Sequence, residues 1–288
     1  LLLTYTTTLA QYLAGCCRTK SSAAAKNVRT SLKGKPKSFE HWDEIIVDEA
    51  QDLPNSYYYD IEDMAPVSYG ADDSQILYPD SCSTQEELQD IFPDNEEYVL
   101  DRNFRSTYNI MQFARRTFPM AVIPQSLMNA LRGNMGEKPS LMISDGEKYD
   151  KTNYKQNQAI IEVINSFHED THNIAILVPW KSDVLVFEEV LNDNGIDDFS
   201  VYYDDRNRFP SGAEEINNIH ITTFKSAKGL EFDTVIIPNF HRIDEILGSF
   251  KTDWQDFYVA VTRARSNLYL ISNYNMPQLD TVADISTL

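Results

Sequence analysis

The chain has 288 residues, of which 42% are hydrophobic and 24% are charged, so it has the composition of a globular protein with material for two domains of ordinary size. This composition excludes intrinsic disorder, and no apolar stretch in the sequence is long enough to span a membrane. The 25 basic and 44 acidic residues give a net charge of −19, which disfavours non-specific binding to nucleic acids. Any nucleic-acid site therefore has to be a local groove.

The cysteines and the first residues give further constraints. Cys16, Cys17 and Cys82 provide neither a CxxC metal spacing nor an even-numbered disulfide framework, which favours a reducing cytoplasm. Leu1–Leu3 is too short for a signal peptide, and the chain does not begin with Met. We therefore expect that upstream sequence is missing.

The chain opens with a predicted strand and helix. The strand covers Leu1 to Tyr5, and the helix begins near Thr7, with Thr6 or Thr7 as N-cap and Gly15 as its end. Residues 18–38 then carry seven basic and no acidic side chains. This segment suits a solvated linker and a nucleic-acid-facing patch equally well.

The stretch EIIVDEAQD at residues 44–52 is the centre of the first half. Its β-branched residues Ile45 to Val47 predict a buried central strand, covered on both faces, whose carboxyl end is where parallel sheets bind ligands. After it we expect a helix at 53–64, closed by Pro66, and a strand at 67–70. Residues 71–78 are expected at another strand end. A helix is expected at 84–92, with Thr84 and Glu87 as its capping box, followed by a hinge between domains at 93–96.

The second half alternates between the two element types. Strands are predicted at 97–101, 140–144, 174–178, 199–203, 219–223, 233–237 and 267–271. Helices are predicted at 106–118, 154–167, 182–193 and 252–262. Such alternation is typical of βαβ units and predicts an α/β fold with mostly parallel sheets.

Polar clusters stand at several strand ends, and together they suit nucleoside triphosphate hydrolysis. Asp48 and Glu49 offer one carboxylate for a magnesium ion and one to accept a proton from water. Gln75, beside Asp72, is able to orient water, and arginines neutralise charge on a γ-phosphate with a planar fork. Arginines stand in NFRS at 103–106 and YVAVTRAR at 258–265, and TFKSAKGLEFD at 223–233 is a further polar cluster.

The order and spacing of these clusters resemble the superfamily 1 helicases of the UvrD/Rep-like group over nearly the whole chain. The matching motifs are LLLTYTTTLA at 1–10 (motif Ia), IIVDEAQD at 45–52 (II), ADDSQILY at 71–78 (III), LDRNFRS at 100–106 (IV), TFKSAKGLEFD at 223–233 (V) and YVAVTRAR at 258–265 (VI). Six clusters in the family's order make a specific match.

The resemblance implies a role for each matching residue. Asp48 would hold Mg²⁺, Glu49 would be the general base, and Gln75 would sense the γ-phosphate of ATP. The remaining residues complete the implied site: Arg105 and Arg263 at the triphosphate, Phe104 on the adenine, Lys228, Gly229 and Glu231 as further nucleotide-binding residues, and Tyr5 and Thr223 on single-stranded DNA.

The resemblance also implies an architecture. It predicts two RecA-like domains: residues 1–95 as a partial N-terminal domain truncated at its start, and residues 96–288 as the C-terminal domain, with ATP in the cleft between them. The implied partner is single-stranded DNA, or DNA with a single-stranded tail, along which the motor moves 3′ to 5′. The implied location is cytoplasmic, with no membrane partner.

The sequence departs from the family at two important places. No GxxxxGK[ST] occurs in the 288 residues, so the loop that cradles phosphates is expected upstream or is lacking, and this chain alone is expected to be inactive. After Tyr78 the chain reads PDSCS instead of the family's aromatic, arginine, glycine and alanine. A milder change is Lys225 in place of a histidine.

Two other functions stay open. One is a catalytically inactive, helicase-like module that binds nucleic acid or regulates a partner. The other is a metal-dependent nuclease that uses Asp48, Glu49 and Asp72. Outside the motifs, His168 and His172 stand four residues apart, but a solvated helix end is the simpler interpretation of this pair. For Tyr57 to Tyr59 we expect that one or two rings pack a helix against the sheet.

Overall fold

A computed structural model describes residues 1–76, 81–99, 105–145, 153–167, 172–202, 218–243 and 254–288. The chain divides into two compact units. Residues 1–99 form one, called the N-terminal unit here, and the described residues from Arg105 onward form the other, called the C-terminal unit. None of the helices described is long and apolar enough to cross a bilayer.

The N-terminal unit is built on a four-stranded parallel sheet with the order β2-β1-β3-β4. The strands are β1 (Leu2–Thr4), β2 (Val28–Thr30), β3 (Ile45–Val47) and β4 (Val67–Tyr69). The helices are α1 (Thr7–Arg18), α2 (Ser22–Lys26), α3 (Asn55–Tyr59) and α4 (Gln85–Ile91). The core packs Leu3, Ile45 and Val47 of the sheet against Tyr58 and Leu88. Two of the three tyrosine rings in α3, Tyr57 and Tyr58, are buried, as expected.

The N-terminal helices differ in detail from the expected ones. Thr6 caps α1, as predicted, by accepting a hydrogen bond from the Leu9 N–H. However, α1 runs through Gly15 to Arg18, because a single glycine costs a helix only about 1 kcal/mol. The predicted helix at 53–64 is short and ends at Tyr59, with turns after it. The capping box of Thr84 and Glu87 at α4 is confirmed.

Of the two interpretations left open for the basic segment at 18–38, the solvated linker is wrong, because the segment contains α2 and the edge strand β2. Part of its charge is used within the fold. Arg29 bonds Glu40 at 3.1 Å and lies over the Trp42 ring, and Lys35 pairs with Asp60. Strand β2 was missed because three residues of mixed polarity carry no clear period-2 pattern, and pairing with β1 decides their conformation.

The central strand β3 is not covered on both faces in the part of the chain described. Ile45 and Val47 are fully buried, but Ile46 is 44% exposed. Successive side chains of a strand point to opposite faces, so one face of this sheet carries the core and the other reaches solvent. Residues 71–76, expected at a strand end, instead form a 3₁₀ turn at Asp73–Gln75.

The C-terminal unit is built on a seven-stranded parallel sheet with the order β11-β5-β10-β9-β6-β8-β7. The strands are β5 (Ser140–Ile143), β6 (Ile174–Val178), β7 (Ser200–Tyr202), β8 (Ile219–Thr223), β9 (Phe232–Ile237), β10 (Ala264–Ser272) and β11 (Asp284–Thr287). The helices are α5 (Tyr108–Thr117), α6 (Gln125–Ala130), α7 (Tyr154–Ser166), α8 (Lys181–Asp193) and α9 (Trp254–Thr262). Every pairing in both described sheets is parallel, so the predicted α/β class with mostly parallel sheets is confirmed.

Most predicted elements of this unit fall within one to three residues of the observed ones. Strands β6 and β8 match the prediction residue for residue. The predicted strand at 97–101 is absent from its described part, residues 97–99, and neither α6 nor β11 was foreseen. The strand β6 lies between β8 and β9 and is buried along its whole length. A fully buried strand has a continuous apolar sequence, so β6 could be predicted from its apolar run.

Candidate functional site

The carboxyl end of β3 carries Asp48 and Glu49, as predicted. The Asp48 N–H donates to the Leu3 carbonyl at 2.8 Å, which continues the sheet bonding past the last strand residue. Glu49 then has φ 55° and ψ 45°, in the left-handed region that side chains other than glycine rarely occupy. Such backbone strain recurs at functional sites and is held in place by the surrounding structure.

Gln51 is a site residue that sequence reasoning missed. It is fully buried in the 3₁₀ turn Ala50–Asp52 that follows Glu49. Its side-chain Nε2 donates to Glu49 Oε2 at 2.7 Å, and its Oε1 accepts from the main-chain N–H of Asp72 at 3.1 Å. The letters DEAQD contain this glutamine, but only the fold reveals that it joins two motifs.

Gln75 lies in the turn that follows β4, at the same edge of the sheet. Its Nε2 donates to Asp72 Oδ2 at 2.6 Å. The neighbouring Asp73 accepts the Gln85 N–H at 2.9 Å, which ties the turn to the start of α4. The structure therefore brings Glu49, Gln51, Asp72 and Gln75 into one hydrogen-bonded series within the N-terminal unit.

Tyr5 stands between β1 and the N-cap of α1. Its ring packs against the N-terminal core and is partly buried. Burial, together with the charge of Asp52, raises the pKa of the Tyr5 hydroxyl to about 12. The Tyr5 ring, which was predicted to stack on a base, therefore also packs against the N-terminal core.

Arg105 and Glu231 form an ion pair in the C-terminal unit, with Arg105 Nε 2.9 Å from Glu231 Oε2. Both side chains are partly exposed, at 36% and 45%. Arg265 adds a second positive charge 3.9 Å from the same carboxylate. The motifs that supply Arg105 and Glu231 are therefore neighbours here, as the resemblance implies.

Ser106 fixes the segment that carries Arg105. Its buried hydroxyl donates to the Ala264 carbonyl at 2.9 Å, at the start of β10. Sequence reasoning quoted this serine in its cluster but gave it no role. Its bond anchors the residue after Arg105 to the residue after Arg263.

Arg263 differs from Arg105 because its side chain is only 1% exposed. The guanidinium donates to the carbonyls of Val259 at 3.0 Å and Leu230 at 3.3 Å, and to the Thr262 hydroxyl at 3.3 Å. These bonds tie the end of α9 to the segment that precedes β9. In this structure the buried Arg263 guanidinium stabilises the main chain at these carbonyls.

The turn after β8 contains three further predicted residues. Thr223 is 7% exposed, and its hydroxyl bonds Ser226 at 3.0 Å, so it caps the turn. Lys228 is fully buried, and Gly229 has φ 80°, a conformation that glycine adopts without strain. The glycine is therefore required by the shape of this turn.

Lys225 replaces the family's histidine, and the structure gives it a partner. Its Nζ lies 3.6 Å from Oδ2 of Asp256, whose side chain is 3% exposed. Asp256 belongs to α9, so the pair joins the turn after β8 to that helix. The departure noted in the sequence is thus accommodated by a carboxylate.

Several predicted positions lie outside the described residues. Phe104 and Tyr78 are among them, as is His168. His172 is described: its Nε2 bonds the Thr234 hydroxyl at 2.8 Å, and its ring stacks on Phe167. Within the described ranges, no group of three or more His, Cys, Asp or Glu side chains is arranged to hold a metal ion.

The C-terminal part of the chain matches a family model. Residues 206–275 match the UvrD-like helicase C-terminal domain, over a range that contains motifs V and VI. The chain is related to the UvrD/Rep-like superfamily 1 helicases. The resemblance read from the motifs is confirmed, and the two α/β units with parallel sheets agree with the fold that this group implies.

A curated relative extends the UvrD/Rep-like match beyond that domain. The chain is 27% identical over 256 residues to the putative ATP-dependent DNA helicase R568 of Acanthamoeba polyphaga mimivirus. The aligned region covers 80% of this chain and 35% of the viral protein. The chain thus spans about a third of the length of this relative.

Two solved structures are also similar to this chain. One is the C-terminal domain of a possible DNA helicase from Lactobacillus plantarum WCFS1, with 18% identity, a TM-score of 0.44 and coverage of 64% of this chain and 98% of that one. The other is the PRRSV helicase, with 14% identity, a TM-score of 0.45 and coverage of 96% and 48%. Both TM-scores are below 0.5.

Proposed function

We propose that this chain is part of an ATP-dependent DNA helicase or translocase that acts on single-stranded DNA and uses ATP with Mg²⁺. The observation that carries the proposal is the environment of Glu49. A carboxylate at the end of a parallel strand, next to Asp48, is held in strained backbone by a buried amide. A chain with a UvrD-like C-terminal domain has a clear use for such a group as a general base.

Asp48 is the proposed Mg²⁺ ligand. Mg²⁺ keeps several waters and is commonly held by one or two carboxylates together with substrate phosphates. A single Asp48 carboxylate suits this arrangement, and the lack of a three-ligand cluster in the described residues is compatible with it. When bound, the ion would supply positive charge against the phosphate oxygens.

The proposed phosphate-facing groups differ in how freely they can move. Arg105 is held by a half-exposed ion pair, which is typically worth no more than about 1 kcal/mol, so it can leave Glu231 for a phosphate at little cost. Gln75 has to exchange its bond with Asp72. Arg263 has to exchange its buried hydrogen bonds to Val259, Leu230 and Thr262, so we infer that its use requires a rearrangement at the end of α9.

The proposed polymer substrate is single-stranded DNA, with 3′ to 5′ movement. The support is the family relationship and the identity of Tyr5, whose ring could stack on a base with sequence-tolerant affinity. Thr223 would lie near the DNA backbone. The net charge of −19 requires the contact to be local, and exposed basic side chains in and before α2, such as Lys26 and Lys20, are available to supply it.

A second candidate is a catalytically inactive helicase-like module. One observation favours it: the guanidinium of Arg263 is buried. The nuclease hypothesis receives less support, because Asp48, Glu49 and Asp72 do not form a metal-holding group in the described structure. DNA cleavage with magnesium and without ATP would revive it.

The deciding experiment measures ATP turnover with and without single-stranded DNA. For the 288-residue chain we expect negligible turnover, and steady turnover that Glu49→Gln abolishes would contradict this. The chain is then extended with the genomic sequence that precedes Leu1. If that sequence supplies GxxxxGK[ST], we expect DNA-stimulated turnover that Glu49→Gln removes and the exposed control Glu62→Gln keeps. Binding of DNA without any turnover would favour the inactive module.

A further inference from the structure

We infer that Gln51 is a positioning residue whose buried side-chain amide holds the candidate base Glu49 and the turn that carries Gln75 in one arrangement. The inference rests on the proposed function for its catalytic consequence. Its structural content is confined to the N-terminal unit. The amide stands between Glu49 Oε2, at 2.7 Å, and the main-chain N–H of Asp72, at 3.1 Å.

The orientation of the Gln51 amide follows from the chemistry of its two partners. An ionised carboxylate only accepts hydrogen bonds, and a main-chain N–H only donates. The amide nitrogen must therefore face Glu49, and the amide oxygen must face Asp72. The opposite orientation would place two acceptors together on one side and two donors together on the other, so the network fixes the assignment.

The Gln51 main chain is itself held firmly. The Ser83 N–H donates to the Gln51 carbonyl at 3.0 Å, and the Ala50 N–H donates to the Gly70 carbonyl at 2.9 Å. The Tyr58 hydroxyl donates to the Ala50 carbonyl from the core. With its backbone fixed and its side chain fully buried, Gln51 has few alternative rotamers.

Two consequences follow for Glu49. Its left-handed backbone directs the side chain, and the amide then selects one position for the carboxylate. The series continues from the Asp72 main chain to its own side chain, where Asp72 Oδ2 accepts from Gln75 at 2.6 Å. A shift of the Asp72–Gln75 turn therefore pulls on the amide that orients Glu49. The base is fully aligned only when the turn is in place.

Two substitutions distinguish the two hydrogen bonds of the Gln51 amide, one to Glu49 and one to Asp72. Gln51→Glu keeps an acceptor for the Asp72 N–H but loses the donor to Glu49 and places two carboxylates together. Gln51→Leu loses both bonds. The control is Gln85→Leu, because Gln85 also donates its amide to a glutamate, Glu97 at 3.0 Å, on the exposed surface.

The first readout is hydrogen exchange of the Asp72 amide in the 288-residue chain, which requires no ATP turnover. We expect exchange to rise about tenfold in Gln51→Leu and to stay near the wild-type rate in Gln51→Glu and Gln85→Leu. Unchanged exchange in Gln51→Leu would overturn the inference. If Gln51→Glu fails to fold, the swapped double variant Glu49→Gln with Gln51→Glu restores a donor and an acceptor, and we expect it to regain the wild-type melting temperature.

The second readout is the steady-state kinetics of the extended protein. We expect both Gln51 variants to lower kcat at least tenfold with little change in KM for ATP, since substrate binding does not use the amide. A wild-type kcat in Gln51→Leu would sink the positioning role. If the extended protein shows no turnover at all, the proposed function fails, while Asp72 exchange still decides whether the bridge exists.

Discussion

The Ser106 hydroxyl donates to the Ala264 carbonyl at 2.9 Å within the buried part of the C-terminal unit. This bond joins the residue after Arg105 to the residue after Arg263. Two motifs that lie far apart in the sequence are thereby fixed at one point of the sheet. The anchor lies one residue from Arg105, whose Nε is 2.9 Å from Glu231 Oε2.

We expect Ser106→Ala to lower the free energy of unfolding by about 1–3 kcal/mol, because it leaves the buried Ala264 carbonyl without its donor. Urea denaturation followed by circular dichroism measures the change. Ser166→Ala is the control, since that hydroxyl bonds only within its own helix. Equal effects of the two substitutions would contradict a special role for Ser106.

The two arginines should respond differently to substitution. Arg263→Lys is expected to destabilise the C-terminal unit by about 2–4 kcal/mol, because a single ammonium cannot replace a guanidinium that spans the acceptors of Val259, Leu230 and Thr262. Arg105→Lys weakens a partly exposed pair with Glu231, for which we expect a loss below about 1 kcal/mol. Thermal melting of both variants tests this, and a larger effect at Arg105 would refute it.

Backbone strain at Glu49 predicts a reversal of the usual ranking of glycine and alanine. With φ at 55°, Glu49→Gly should be more stable than Glu49→Ala by about 1 kcal/mol, since only glycine adopts this region without cost. Both variants lose the carboxylate, so their difference isolates the backbone. Denaturant titration of the pair is sufficient, and an alanine variant as stable as the glycine variant would exclude strain.

Buried His220 predicts a pH dependence of stability. Complete burial lowers the pKa of His220 to about 4, while an unfolded histidine titrates near 6.5. Between these values the unfolded chain binds a proton that the folded chain does not, so stability should fall as the pH drops from about 6.5 to 4, by up to about 3 kcal/mol.

Denaturant titrations across that pH range measure the effect. His220→Gln should flatten the profile, whereas the exposed control His41→Gln should leave it unchanged. A wild-type slope in the His220 variant would assign the pH dependence to other groups.

The parts of the fold that could be predicted from the sequence are those that depend on residues close together in the chain. The apolar run of β6 and the Thr84 capping box were predicted because each depends on neighbours in the sequence. Strand β2 and the extension of α1 past Gly15 were not, because pairing with β1 and packing on the sheet override weak local preferences.

The same distinction applies to the candidate site. Asp48, Glu49, Gln75 and Arg105 could be predicted as site residues, because each stands at a fixed position in a sequence motif. The bridge through Gln51 joins residues that are brought together only by the turn after β4. The burial of Arg263 likewise depends on carbonyls from two segments, which no spacing rule contains.

The sheet order of the C-terminal unit has a consequence for biosynthesis. Strand β5 pairs only with β10 and β11 within the described sheet, although β6 to β9 all come off the ribosome before them. A nascent chain therefore has to carry the apolar side of β5, including Leu141, without its neighbours until Ala264–Ser272 has been translated. Until then, the edge of β5 is open to pairing with other extended segments.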